Sequence, residues 1–357
     1  MQHLLPHDPL LICGDLPPVE GRLGPDPSDF QVDELPLYPF SGEGEHLLVR
    51  VRKRLCTTPE LVARLAQAAG VAAKDVGIAG MKDKHAVTSQ WISLPSKARP
   101  PETWELPDGV ELLEVTRHGN KLRTGHLSGN RFRLRLLGVA LDAGARAARI
   151  CQRIEERGLP NYFGAQRFGY HGSNLTRALE WLEASQRRRR GRDRFQHKLY
   201  PSVLQAEVFN RYLSSRLERG LDRLLHGEVV RLAGSGSLFV VEDPERERSR
   251  LLARDIWLTG PMWGPRTRAA AGAALELEQQ AAADAGLSEA ALGALSALVP
   301  GTRRDLVVVP EQLVLESPTP GELVLGFVLP SGSYATQLLR ELTHAAFLGP
   351  SAAPSTA

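Results

Sequence analysis

Strand-like segments before residue 157, a helix-dominated stretch to about residue 308 and strand-like segments after it predict an α+β chain. One sheet is interrupted by an inserted domain. Two further observations support that division. A length of 357 residues suits two domains. Gly158 and Pro160 stop a helical pattern where the composition changes. The first domain then takes residues 1–157 and 309–357, and the insertion takes residues 158–308.

The elements follow in order. Over residues 57–70 Thr58 is placed to cap a helix, Pro59 fits its first turn, Leu61, Leu65 and Ala69 share a face, and Gly70 stops it. Gly77-Ile78-Ala79-Gly80 is apolar and glycine-rich, Lys82-Asp83-Lys84-His85 is charged, and residues 86–94 resume as a strand. The charged four therefore sit on a loop between sheet elements. Residues 110–115 form another strand. Residues 130–136 alternate strictly, with Phe132, Leu134 and Leu136 on a core face and Arg131, Arg133 and Arg135 as a guanidinium row on the other. Alanine-rich periodicity predicts a helix over 143–157. Helices follow at 174–184, capped by Asn174, and at 201–218, where Leu204, Phe209, Tyr212 and Leu213 recur at helical spacing. Residues 187–198 between them are too charged to pack. A hairpin turns at Gly234-Ser235-Gly236, and an alanine-rich helix covers 267–285. Strands return at 307–309, 313–316 and 322–329, and a last helix starts near Ser333.

Composition excludes several classes. The chain is 42% hydrophobic and 24% charged, ordinary globular usage. Lys+Arg 44 against Asp+Glu 41 leaves +3, too small by itself to predict a polyanionic partner. The average hides local charge: residues 117–135 hold six basic side chains and no acidic one, and residues 187–198 hold seven against one. Only seven of the basic residues are lysine, and arginine suits bidentate phosphate contact and stacking on bases. Cys13, Cys56 and Cys151 are odd in number and form no CxxC pair, which supports neither a disulfide framework nor a cysteine zinc site. The first residues lack the marks of a signal peptide, and no apolar run approaches the roughly 18 residues of a membrane helix, so a cytoplasmic chain without a membrane partner is expected. Phosphate-loop, HExxH, GxGxxG and GxSxG motifs are absent, and the ten histidines are scattered, so no metal is assigned.

The sharpest constellation is the loop around Asp83. Lysines on both sides favour the charged form of a carboxylate, which suits a nucleophile. By the residues alone a solvated Lys-Asp-Lys turn, a common surface feature, explains them better.

Residues 79–91, Ala79-Gly80-Met81-Lys82-Asp83-Lys84-His85-Ala86-Val87-Thr88-Ser89-Gln90-Trp91, resemble the active-site segment of the TruD family of tRNA pseudouridine synthases. Four other blocks are similar to that family in the same order: Asp29-Phe30-Gln31-Val32-Asp33-Glu34; Lys121-Leu122-Arg123 with Gly129-Asn130-Arg131-Phe132; Pro160-Asn161-Tyr162-Phe163-Gly164-Ala165-Gln166-Arg167-Phe168-Gly169; and Leu329-Pro330-Ser331-Gly332-Ser333-Tyr334-Ala335-Thr336. The resemblance implies a pseudouridine-synthase catalytic domain, a mixed and largely antiparallel sheet with flanking helices, interrupted by an inserted α/β TRUD domain. It also implies isomerisation of one tRNA uridine, at position 13 in bacterial members, without cofactor or metal. By family position Asp83 is the nucleophile, attacking either C6 of the ring or C1′ of the sugar. The base is flipped into a cleft between the domains, with Phe30, Asn130, Phe132 and Tyr334 expected to receive it. Lys82, Lys84, Arg123, Gln166 and Arg167, with some of the arginines at 187–190, are expected to contact RNA. The partner is tRNA; no protein partner is evident, and a monomer is expected.

Two positions depart from the family pattern. Gly24 stands where many members carry a lysine able to pair with the catalytic carboxylate, and Arg22 is the expected substitute. Tyr334 stands where phenylalanine is frequent. The loss at Gly24 favours a rival reading, a non-catalytic tRNA-binding protein on the same fold; the intact Asp83 loop favours the enzyme.

Overall fold

Period-two alternation in residues 130–136 becomes a long strand at the centre of a nine-stranded sheet. The computed structural model describes residues 9–187 and 194–345. The elements begin with β1 (Arg22–Leu23), β2 (Phe30–Pro36), β3 (His46–Arg54), α1 (Thr58–Ala68), β4 (Gly77–Ile78), β5 (Val87–Pro95), β6 (Val110–His118), β7 (Leu127–Leu137) and α2 (Ala143–Arg157). They continue with β8 (Leu159–Pro160), α3 (Ala165–Phe168), α4 (Ser173–Arg187), α5 (Arg194–Arg219), β9 (Val229–Leu232), β10 (Leu238–Val240), α6 (Pro244–Leu252) and β11 (Ile256–Met262). The last are α7 (Gly272–Asp284), α8 (Glu289–Ser296), β12 (Thr302–Asp305), β13 (Val307–Val308), β14 (Glu311–Glu316), β15 (Glu322–Pro330) and α9 (Ala335–Thr343). Two compact units result. Among the described residues, one is formed by Pro17–Gln152 and Pro310–Ala335, the other by residues 9–16, Arg153–Val309 and residues 336–345.

The first unit holds the large sheet, ordered β14-β15-β7-β2-β5-β3-β6, with β1 on β7 and β4 on β5. Every pairing is antiparallel except β2 with β5. Residues in register share a face. Lys53, Thr88, Val32, Phe132 and Phe327 form one such row, Val51 and Gln90 belong to the next, as do Glu34, Asn130 and Leu329, and Phe30 lies opposite Leu134. Part of this face is covered by α1, whose Leu61, Leu65 and Ala66 pack with Val49, Val51, Ile92 and Leu94. The cap of α1 is Thr57: its hydroxyl accepts from Glu60 N at 3.3 Å, and the Glu60 carboxylate accepts from Thr57 N at 2.7 Å. Thr58 is one residue too far in to cap and is buried instead.

On the opposite face Arg131, Arg133 and Arg135 stand in the expected row, but they are engaged. Arg131 donates to Gln312, Arg133 pairs with Glu316, and Arg135 pairs with Glu322 and Asp29. Neighbouring strands thus supply acceptors that the sequence of β7 alone does not show.

The second unit is mainly helical, as the sequence predicts, but it also holds a sheet. Its four-stranded sheet, β10-β9-β11-β12, packs with α5 and α7, and α5 buries Leu204, Phe209, Tyr212 and Leu213. Gly260 and Pro261 conceal β11 from its sequence, since both weaken a strand pattern. Glycine is needed there, because a Cβ on residue 260 would lie 2.9 Å from the Phe209 ring. Helix α5 starts seven residues before Pro201, its packing holding a proline in the interior. Asn174 lies inside α4 rather than capping it. Residues 188–193, which carry most of the arginine run, lie outside the described residues.

Candidate active site

The loop between β4 and β5 carries Asp83 and is tied down along its length. Gly125 N donates to Ala79 O at 2.9 Å, Lys82 N donates to the Thr58 hydroxyl at 2.9 Å, and Lys53 Nζ donates to Asp83 O at 2.6 Å. Thr58 also donates to Gln90 at 3.0 Å, so the start of α1, β5 and the loop share one hydroxyl. The Lys82 ammonium is buried against Glu34 Oε2 at 2.6 Å, and Glu34 Oε1 accepts from Trp91 N at 3.1 Å. Lys82 therefore faces a carboxylate inside the fold rather than solvent. Asp83 is half-buried, and Lys84 and His85 are exposed.

Lys53 is fully buried. Burial pushes its pKa down to about 8, while the nearby Cys56 and Asp83 favour the charged form and Lys82 opposes it. Arg22, the substitute expected from the sequence, is exposed on β1 in register with Leu137 and forms no ion pair among the described residues. Structure also explains Gly24. A Cβ there would lie 2.1 Å from Asp29 Oδ2, and Asp29 is held in place by Asp26 N and Arg135. Lys53 was legible in one way: Leu47, Val49 and Val51 alternate with Arg50, Arg52 and Arg54, and Lys53 falls on the apolar side of that alternation.

Beside the loop, the sheet face presents aromatic and amide groups. Phe30 meets Phe132 edge to face at 6.3 Å between centroids, and Phe132 stacks on Phe327 at 5.3 Å. Asn130 Oδ1 is buried without a hydrogen-bond partner among the described residues, as are Thr88 Oγ1 and Gln90 Nε2 on the same face. Tyr334 is half-buried in the turn after β15, whose last residues pair with Asn130 and Gly129. Phe30, Asn130 and Phe132 thus share a face with the groups that hold Asp83, and the Tyr334 turn leaves the sheet at the Asn130 end. Arg123 is exposed near the start of β7. Gln166 and Arg167 lie in the other unit, on α3: Gln166 is exposed, and Arg167 donates to Ser202 at 3.3 Å with its guanidinium over Phe163.

Comparison with known proteins places this arrangement in the class of RNA-modifying isomerases. The family model of tRNA pseudouridine synthase D (TruD) matches residues 10–177 and 193–342. The tRNA pseudouridine synthase D of Anaeromyxobacter sp. (strain Fw109-5) is 44% identical over 345 residues, 95% of this chain and 97% of that protein. That of a Thermus thermophilus strain is 40% identical over 330 residues, 92% and 90% of the two chains. A Methanosarcina mazei crystal structure assigned to TruD shares the fold, with a TM-score of 0.71 at 23% identity, covering 94% of this chain and 96% of that one. The chain belongs to the tRNA pseudouridine synthase D (TruD) family.

Proposed function

We propose that this chain isomerises uridine to pseudouridine in tRNA, at position 13, with Asp83 as the nucleophile. Family membership supports tRNA uridine isomerisation. The observation that carries the assignment to Asp83 is the pinning of its loop at residues 79, 82 and 83, beside a face lined by Phe30, Asn130 and Phe132. Such anchoring fixes a reacting group before substrate arrives.

Asp83 attacks C6 of the ring or C1′ of the sugar, and the C1′–N1 bond breaks. The freed base turns, C1′ bonds to C5, the bond from the Asp83 carboxylate to C6 or C1′ breaks and returns the carboxylate, the C5 proton is lost and N1 regains one. Every other atom is retained, so the reaction balances without a co-reactant. To be reached, the base leaves its stack. Phe30 and Phe132 give it an apolar wall, the unpartnered Asn130 oxygen can accept its imide N–H, and Tyr334 closes the same end. Lys53 holds the Asp83 peptide and supplies positive charge beneath the nucleophile. Lys82 positions the loop through Glu34, leaving RNA contact to Lys84, Arg123, Gln166 and Arg167. Residues 1–157 and 309–357 are read as the catalytic domain and 158–308 as the insertion.

The test is Asp83→Asn assayed on unmodified tRNA labelled with tritium at C5 of uridine. Tritium release should disappear while tRNA affinity stays within about threefold, since the side chains are nearly isosteric. Substantial residual release overturns the assignment.

A further inference from the structure

The basic stretch at residues 117–135 divides in two once folded. Arg131, Arg133 and Arg135 are occupied by Gln312, Glu316, Glu322 and Asp29. Lys121 and Arg123 instead line an open cavity of about 660 Å³ together with Tyr38, His118, Asn120 and His126. No acidic side chain lines it, and Arg123 has no ion-pair partner among the described residues. Lys121 Nζ donates to a carbonyl, Lys74 O, at 3.0 Å and forms no ion pair among the described residues.

The cavity also has an aromatic wall that is built and braced. Tyr38 and His118 lie with ring centroids 5.2 Å apart and tilted by 33°, and the Tyr38 hydroxyl meets His126 Nδ1 at 3.0 Å. Behind them Phe40 contacts Tyr38, His118 and Trp91 at 6.2, 5.7 and 4.7 Å, tying the wall to β5. Ser41 N donates to His118 Nδ1 at 3.3 Å, so a neutral His118 carries its proton on Nε2 and can donate it. The cavity is joined to the nucleophile loop: Gly125, between Arg123 and His126, donates to Ala79 O, four residues before Asp83.

Cations without acids beside half-buried rings suit a single-stranded nucleotide, bound through its phosphodiester and its base. The volume lies within the roughly 300–1,000 Å³ of ligand sites. We propose that this cavity is a subsite for an unpaired nucleotide flanking the target uridine, with its phosphodiester on Arg123 and Lys121 and its base against Tyr38 and His118. The proposal rests on the reading of the chain as a tRNA-modifying enzyme and adds where the strand beside the target is held. By gripping that strand at the root of the Asp83 loop, the subsite sets the register in which one uridine reaches the nucleophile.

The experiment measures the affinity of a fluorescently labelled unmodified tRNA for the full chain over a series of salt concentrations, with wild type, Arg123→Gln, Tyr38→Leu, Tyr38→Phe and Arg133→Gln. Arg123→Gln should reduce the slope of log affinity against log salt by about one, the loss of one phosphate contact. Tyr38→Leu should weaken binding about tenfold at constant slope, as lost stacking does, whereas Tyr38→Phe keeps most of the affinity. Arg133→Gln, on the opposite face, should change neither. An unchanged slope in Arg123→Gln, or equal losses in Tyr38→Phe and Tyr38→Leu, overturns the subsite. Tritium release by Asp83→Asn tests the catalytic reading separately: it can fail while the binding results stand, and the reverse.

Discussion

Replacing Lys53 by methionine separates what the buried ammonium costs the fold from what it contributes to the chemistry. Moving its pKa from 10.5 to about 8 means that the charged form is held in the folded chain at a cost of about 3 kcal/mol. The unfolded chain binds this proton more tightly, so the penalty is fully present below about pH 8 and is relieved as pH rises from there toward 10.5. Lys53→Met removes the charge and keeps most of the volume. Its melting temperature at pH 7 should therefore equal or exceed that of the wild type. Turnover should fall, because the charge-assisted hydrogen bond to Asp83 O is worth about 1.5–3 kcal/mol. A loss of that size is roughly 10- to 100-fold in rate. Single-turnover tritium release and calorimetry on the same preparations measure both quantities. In the wild type, release should also decline as pH rises through about 8 and Lys53 loses its proton; the variant should lack that decline. Full activity in Lys53→Met, or a melting temperature several degrees lower, would refute the reasoning.

Two further substitutions probe the surroundings of the loop. Lys82→Met strands the Glu34 carboxylate in the interior and should destabilise the chain by about 3–5 kcal/mol, with Lys82→Met/Glu34→Met recovering much of it; chemical denaturation reads both. Gly24→Lys restores the side chain that many family members carry, yet its Cβ would collide with Asp29, so thermal melting should show a loss of at least about 2 kcal/mol and tritium release should show no gain.

Much of the unit that carries Asp83 was readable in advance because its signals are local. Alternation in residues 130–136 placed β7, charge between apolar segments placed the Asp83 loop, and Pro59 and Gly70 bracketed α1. The misreadings came where distant partners decide. Thr58 reads as a cap, yet Thr57 takes that role because the hydroxyl of Thr58 is claimed by β5 and by the Asp83 loop. The guanidinium row of β7 reads as a bare charged face, but β14 and β15 bring up the glutamates that engage it. Strand β11 was hidden by Gly260 and Pro261, and only the approach of Phe209 shows why residue 260 carries no side chain.

By itself the sequence determined the family and pointed to Asp83, since both rest on the identity and order of residues along the chain. Tertiary structure decided which charges remain available. Whether a lysine or arginine can meet RNA depends on the carboxylates that the fold brings within about 4 Å of it, an attraction that strengthens as the pair is withdrawn from water. Lys82 and Arg135 were claimed in this way, Arg123 was left open, and Lys53, silent in the sequence apart from its place in an alternation, was set beneath Asp83.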